Sequence, residues 1–193
     1  MYYEDNRDLA HDEQLLTVEL LGKQFNFLTD AGVFSRSAID YGSRVLLENY
    51  QPENAKTLLD VGCGYGAMGI PLIQKFGLTA TMVDVNSRAL DLTNANLDKN
   101  HLSATVVKSD GYANITGKFD SIVSNPPIRA GKEVVHRILT GAFEHLNDGG
   151  HLTIVIQKKQ GAPSAQKKME ETFGNCEQIA RDKGYWILRS YKK

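Results

Sequence analysis

Cysteine is scarce in this 193-residue chain: Cys63 and Cys176 are the only two and lie far apart, which argues against a disulfide framework and for a reducing, cytoplasmic setting. The five histidines, at positions 11, 101, 136, 145 and 151, show no metal-ligand spacing with the cysteines, so no metal is expected. No apolar run approaches the roughly 20 residues of a membrane span, and the polar, acidic stretch Met1 to Arg7 does not read as a secretory signal. Repeats, low-complexity tracts and linkers rich in proline or glycine are also missing. Nor is there an excess of charge of one sign, since the net charge is −1, which does not announce a nucleic-acid partner. The length fits one domain or a small pair, able to bury roughly 70% of its unfolded surface.

What is present is organised around strand ends. Thr57-Leu-Leu-Asp-Val-Gly-Cys-Gly-Tyr-Gly-Ala-Met-Gly69 is an apolar strand feeding a glycine-rich loop that opens a helical pattern. Gly62, Gly64 and Gly66 let the backbone turn tightly and let a ligand approach the helix N–H groups. A second strand, Thr79 to Asp84, ends in an acid placed to accept both hydroxyls of a ribose. Gly62-x-Gly64-x-x-Ala67, with Asp84 following 22 residues after Gly62, also fits a dinucleotide fingerprint, so the loop alone leaves NAD open. Asp60 favours another reading, because its carboxylate would repel a pyrophosphate but can face an ammonium or polarise the loop. A third strand ends in Asp110-Gly111, able to accept from an adenine amino group. Three strand-end acids point to a cationic, adenosine-containing ligand.

The stretch Phe119 to Ile128 supplies the second half of a site. An apolar strand runs into Asn125-Pro126-Pro127, where two residues without N–H groups hold the surrounding carbonyls in a stiff, extended geometry. The Asn125 amide oxygen beside the Pro126 carbonyl makes two neutral acceptors, which suits a planar NH₂ group with two hydrogens to donate. Asn-Pro is also an ordinary turn starter, and taken alone it reads so.

Together these segments resemble the class I S-adenosylmethionine-dependent methyltransferases over about residues 57 to 157. Asp60-Val-Gly-Cys-Gly-Tyr-Gly66 is similar to the family's first motif, Asp84 to its ribose-binding acid, Asp110-Gly111 to its adenine-contacting pair, and Ser124-Asn-Pro-Pro127 to the fourth motif of the branch that methylates amino groups. The resemblance implies S-adenosyl-L-methionine as cofactor, held by Asp60, Gly62, Cys63, Gly64, Asp84, Val85, Asp110, Gly111 and Asn125, with Asn125, Pro126 and Pro127 as the catalytic segment. A narrower resemblance extends to both ends. Tyr2-Tyr3, the hairpin-like Val18 to Phe27, Thr29 to Ser35, Asp40-Tyr-Gly-Ser43 and Lys158 to Ser164 resemble the small-domain methyltransferases that modify guanine N2 of 16S ribosomal RNA. Ribosomal RNA or the small ribosomal subunit is the partner this implies. The chain departs from that group in corresponding to only the catalytic one of two tandem halves. Ile128 also stands where related enzymes place an aromatic, which leaves Phe34 as one candidate for stacking on a base.

The expected fold is α/β: a Rossmann-like, seven-stranded, mostly parallel sheet with an antiparallel last strand, helices on both faces, and an N-terminal hairpin and helix. The division expected is 1–50 for the hairpin-and-helix extension packed on the core and 51–193 for the methyltransferase domain, as one structural unit. A hairpin is expected near 15–28, a helix from Ser37 to Tyr50 with a Ser37-x-x-Asp40 capping box, strands near 57–61, 79–84, 104–109, 119–124 and 150–157, and helices near 67–76, 87–100, 132–146 and 164–173. Segments from Cys176 and Tyr185, joined across Asp182-Lys-Gly184, form the closing antiparallel pair.

Charge is unevenly spread. Residues 1–128 hold 10 Lys+Arg against 16 Asp+Glu, while residues 129–193 hold 12 against 7, and the basic share begins with Arg129, Lys132 and Arg137 beside the Pro-Pro segment. If these and Lys158, Lys159, Lys167 and Lys168 line one rim they would hold a phosphate backbone; otherwise they form a solvated helix face. The functions consistent with the residues are therefore N-methyl transfer to guanine N2 of ribosomal RNA, transfer to a protein glutamine or adenine N6, a catalytically silent RNA-binding module, and an NAD enzyme.

Overall fold

The computed structural model describes residues 4–5 and 7–193. Tyr2-Tyr3, part of the narrower resemblance, lies outside the described residues. The order of elements is β1 (Gln14–Leu20), β2 (Lys23–Thr29), α1 (Tyr41–Asn49), β3 (Thr57–Val61), α2 (Gly69–Phe76), β4 (Thr79–Asp84), α3 (Ser87–Lys99), β5 (Thr105–Lys108), β6 (Phe119–Ser124), α4 (Lys132–Glu144), β7 (Leu146–Gln157), α5 (Ala162–Phe173), β8 (Glu177–Asp182) and β9 (Tyr185–Tyr191). Seven strands form one sheet in the order β5-β4-β3-β6-β7-β9-β8, and β1 and β2 form a separate hairpin. Strands β3 to β7 pair in parallel, and β9 runs antiparallel to both β7 and β8.

Period-two alternation builds two cores from one sheet. Leu58 and Met82 face a layer of α1, α2, α3 and the hairpin, in which Phe25, Phe27, Leu46, Ile70 and Leu92 are buried. Leu59, Ile122 and Ile154 face α4 and α5, against Leu139, Ala165 and Met169. Each fully buried Leu or Ile side chain contributes about 1.5–3 kcal/mol relative to exposure. The chain winds outward from β3 through β4 to β5, then returns to place β6 on the other side of β3. The crevice where strand order reverses, beyond the carboxyl ends of β3 and β6, is where open α/β sheets bind ligands.

Most expected boundaries agree within two residues; two starts differ by four, and a third, at the glycine loop, shifts by two. The helix after the hairpin starts at Tyr41, because Asp40 is itself the N-cap, accepting from the Ser43 N–H at 3.0 Å. The Ser37 capping box is not formed; Ser37 lies in the preceding turn, its hydroxyl 3.4 Å from Gln14 Oε1. The helix of the glycine loop starts at Gly69 instead of Ala67, since residues 62–68 form successive turns in which Gly66 N–H donates to the Cys63 carbonyl. β7 starts at Leu146, four residues early, because Phe119 pairs with Leu146 across an irregularity that absorbs the Asp148-Gly-Gly stretch.

Candidate active site

A cavity of about 340 Å³ opens at the carboxyl ends of the parallel strands. Of the residues singled out in the sequence, Gly62, Cys63, Gly64, Asp84, Val85, Asp110, Gly111, Asn125 and Pro127 line it together. Asp60 and Pro126 do not stand on its wall.

Each wall residue is placed by an element end. β3 delivers the loop from Gly62, whose N–H and that of Cys63 both donate to the Val83 carbonyl, tying the loop to β4. Gly64 adopts a left-handed backbone with φ +57°, and a Cβ there would meet nothing within 4 Å, so its open side faces the cavity it lines. β4 delivers Asp84. Its Oδ2 accepts from the Gly64 N–H at 2.8 Å and its Oδ1 from the Asn86 N–H at 2.9 Å. Burial raises its pKa above the ordinary carboxylate value, against the opposing pull of those backbone donors. The loop after β5 delivers the more exposed Asp110, 3.9 Å from Arg137 of α4, which also lines the cavity.

Asp60 lies beneath the wall, fully buried, with Oδ2 accepting from the Gly69 N–H at 2.9 Å. Its place follows from strand alternation, which puts position 60 on the same side of β3 as Leu58, toward α2. Gly69 permits the approach, since a Cβ there would stand 2.8 Å from Asp60 Oδ2. Burial, with Asp84 adding to it, pushes the Asp60 pKa up to about 7, and its Oδ1 is buried without a hydrogen-bond partner. Among the described residues no lysine, arginine or histidine pairs with Asp60 or Asp84.

At the other side of the cavity β6 ends in Asn125. Its Nδ2 donates to Asp40 Oδ2 at 2.9 Å and to Ser43 Oγ at 3.0 Å, so the amide nitrogen is held by α1 and its cap. Asp40 and Ser43 line the cavity as well. Sequence reasoning placed Asp40 in the Ser37-x-x-Asp40 helix start and in the Asp40-Tyr-Gly-Ser43 stretch of the narrower resemblance, with nothing to connect it to position 125. Pro126 is buried, and its carbonyl takes part in no hydrogen bond among the described residues. Ile128 packs with the α4 and α5 core, whereas Phe34 lines the cavity and is 41% exposed.

The basic segments also meet. The short 3-10 turns Ile128–Ala130 and Lys158–Gln160 follow the carboxyl ends of the adjacent strands β6 and β7, which puts Arg129, Lys158 and Lys159 at the same end of the sheet. Between α4 and α5, His136 lies 3.3 Å from Ser164 Oγ, and its pKa is lowered by burial first and then by Lys132 and Lys168. Both groups of cations therefore border the same side of the molecule. Elsewhere among the described residues, His11, Glu13 and Asp30 bring potential metal-ligating atoms together, but Asp30 already accepts from the Asp12 and Ala31 N–H groups and from His11. No helix among the described residues is long and apolar enough to cross a membrane.

The donor set fits an adenosine-bearing cation: an acid at the β4 end for a diol, a glycine loop open to close approach, and one buried and one half-buried carboxylate without a counter-cation. Comparison with known proteins agrees. The family model for the methyltransferase small domain matches residues 24–189. The chain is 43% identical over 196 residues to the Bacillus subtilis uncharacterized protein YbxB, covering 99% of this chain and 98% of that one. It is 35% identical over 167 residues to the ribosomal RNA small subunit methyltransferase C of Erwinia tasmaniensis, covering 83% of this chain and 48% of that protein. Among solved structures it superposes with a TM-score of 0.86 and 27% identity on a T. Thermophilus 16S rRNA N2 methyltransferase (RsmC) in complex with AdoMet and guanosine, covering 94% of this chain and 51% of the other. The chain thus spans about half the length of those methyltransferases. On both sequence and geometry it belongs to the methyltransferase small domain family.

Proposed function

We propose that this protein is an S-adenosylmethionine-dependent methyltransferase acting on an exocyclic amino nitrogen, with guanine N2 of ribosomal RNA as the target. One observation carries the reading: the Asn125 side chain is held by its nitrogen, which leaves Oδ1 as an acceptor in the cavity that also contains Asp84 and the glycine loop. S-adenosylmethionine, when bound, supplies an electrophilic methyl on a sulfonium.

The chain's own residues do the rest. Asp84 accepts the ribose hydroxyls, and Gly62, Gly64 and Gly111 allow the backbone close to the adenosine. Asp84, joined by Asp60 once it loses its proton, provides a negative field for the sulfonium and ammonium, worth more in a partly buried site than in water. Asn125 Oδ1 accepts one hydrogen of the target amine, and the Pro126 carbonyl, set back from the cavity wall and without a hydrogen-bond partner among the described residues, moves forward to accept the second, holding both off the ring plane so that the lone pair is less delocalised. Those bonds strengthen as positive charge develops on nitrogen, which is where binding accelerates reaction. Phe34 offers a ring at the cavity for the target base, in place of an aromatic at position 128. The basic border from Arg129 to Lys168 suits a phosphate backbone. The relatives named ribosomal RNA methyltransferases support ribosomal RNA as the substrate.

The test is methyl transfer from radiolabelled S-adenosylmethionine to small ribosomal subunits, naked ribosomal RNA, DNA and ribosome-free protein extract, all from cells lacking the protein, followed by nucleoside analysis. Label in N2-methylguanosine is expected. Label only in adenine or protein glutamine would move the target, and absence of cofactor binding would reduce the protein to a silent RNA-binding module.

A further inference from the structure

We infer that Asp40, with Ser43, is a positioning residue for methyl transfer: it fixes the orientation of the Asn125 amide from a different part of the chain. The inference rests on the reading of Asn125 given above. An asparagine side chain presents an acceptor on one branch and two donors on the other, and rotating it by half a turn exchanges them. A site that must accept hydrogens from an amine works in only one of those two states. Asp40 decides between them, because a carboxylate accepts and does not donate. Its Oδ2 stands 2.9 Å from Asn125 Nδ2, and Ser43 Oγ takes the second amide hydrogen at 3.0 Å. Both donors are then occupied, and Oδ1 is the branch left for the cavity.

The same Oδ2 accepts the Ser43 N–H at 3.0 Å, so one oxygen caps α1 and holds Asn125. The cap makes the clamp stiff, because Asp40 and Ser43 cannot move relative to each other without opening the first turn of α1. A carboxylate beside the amide nitrogen also polarises the amide, which increases the negative character of Oδ1 and its strength as an acceptor. Gly42 lets this turn sit against the end of the sheet, since a Cβ there would come within 2.8 Å of the Tyr185 ring. Nothing in sequence distance suggests the pair, as the partners are 85 positions apart.

The test is a double-mutant cycle on methyl transfer to ribosomal RNA from cells lacking the protein, read as kcat, alongside cofactor affinity by calorimetry and the thermal midpoint. Asp40→Ala is expected to lower kcat by about 10- to 10²-fold, the scale of a misplaced catalytic group, with cofactor affinity unchanged. Added to Asn125→Ala it is expected to cause no further loss, because it acts through that side chain. Asp40→Asn, which keeps an acceptor oxygen for both bonds, should recover most of the rate. Ser43→Ala preserves the backbone cap and should still lower kcat, which separates orientation from loss of the helix start. Losses that add in the Asn125→Ala background, or a fall in kcat that only tracks the thermal midpoint, would overturn this inference alone. Full transfer by Asn125→Ala itself would overturn the reading of the site and this inference with it.

Discussion

Two groups in the central sheet bury charge in opposite ways. Where β9 pairs with β7, Arg189 is 1% exposed, yet its Nε donates to Thr153 Oγ1 at 2.8 Å and its guanidinium lies 5.4 Å from the centre of the Tyr50 ring. Glu53 completes that group, with Oε1 3.7 Å from the guanidinium and 2.6 Å from the Tyr191 hydroxyl. Beside them the buried His151 is kept neutral, its pKa pushed down to about 4 by burial first and by Arg189 next. At the carboxyl end Asp60 and Asp84 have backbone donors and no cation of their own chain. The Arg189 group has a counter-charge from its own chain, although Arg189 Nη2 is buried without a hydrogen-bond partner; at the open end the carboxylates have no cation of their own chain among the described residues. That difference is what one expects where the missing cation arrives as a ligand.

Breaking the Arg189 group should cost stability first. Arg189→Ala removes a buried side chain, its bond to Thr153 and its contact with Tyr50, and is expected to destabilise by about 3 kcal/mol in denaturant unfolding, the scale of a large core truncation. A loss well under 1 kcal/mol would mean that the Arg189 group contributes little and that the contrast is only geometric. At the open end Asn125→Ala should leave the fold intact and lower methyl transfer by on the order of 10²-fold or more, with cofactor affinity largely kept. Asp84→Ala should act on the other half of the cavity, weakening S-adenosylmethionine binding by about 10-fold, the effect of leaving a buried diol without its acceptor. Unchanged affinity by calorimetry would remove Asp84 from the site.

Titration sharpens the contrast. Asp60 has a folded pKa of about 7, above its ordinary value of 3.8, so the native state keeps a proton that the unfolded chain has already released. Stability without ligand should therefore fall as pH rises between about 4 and 7 and level off above that, by roughly 4 kcal/mol at about 1.4 kcal/mol per pKa unit, while affinity for a cationic ligand rises as pH passes 7. Melting curves of Asp60→Asn should show a flatter slope across that window, and an unchanged slope would assign the titration elsewhere. The smallest effect belongs to the exposed Arg137 and Asp110 pair at 3.9 Å, whose removal by Arg137→Ala should change stability by less than about 0.5 kcal/mol.

Much of this was readable in the chain. The strands Thr57–Val61, Thr79–Asp84 and Phe119–Ser124 stand where short apolar runs stop at an acid or at Asn-Pro-Pro, because a parallel strand buried on both faces leaves polar residues only at its ends. The meeting of Asp84, Asp110 and Asn125 follows from the same rule, since each ends a strand of one parallel sheet. The position of Asp60 was legible too, through its shared face with Leu58, but the motif drew attention to the loop instead of the alternation. The start of β7 was not, because Asn147-Asp-Gly-Gly has the composition of a turn while its neighbours pair as a strand. The bond from Asp40 to Asn125 was beyond reach for a different reason. Periodicity and capping describe neighbours along the chain, whereas this contact depends on where α1 lands against the sheet.

That contact has a practical consequence for anyone seeking a shortened catalyst. A version trimmed to begin at the glycine-loop strand would retain all seven strands of the sheet, Asp84 and Asn125, and would look complete by its motifs. It would have discarded the clamp on the amide. The shortest functional version has to start upstream of residue 40, and grafting this active site onto another α/β scaffold requires transplanting the first turn of α1 together with Asn-Pro-Pro.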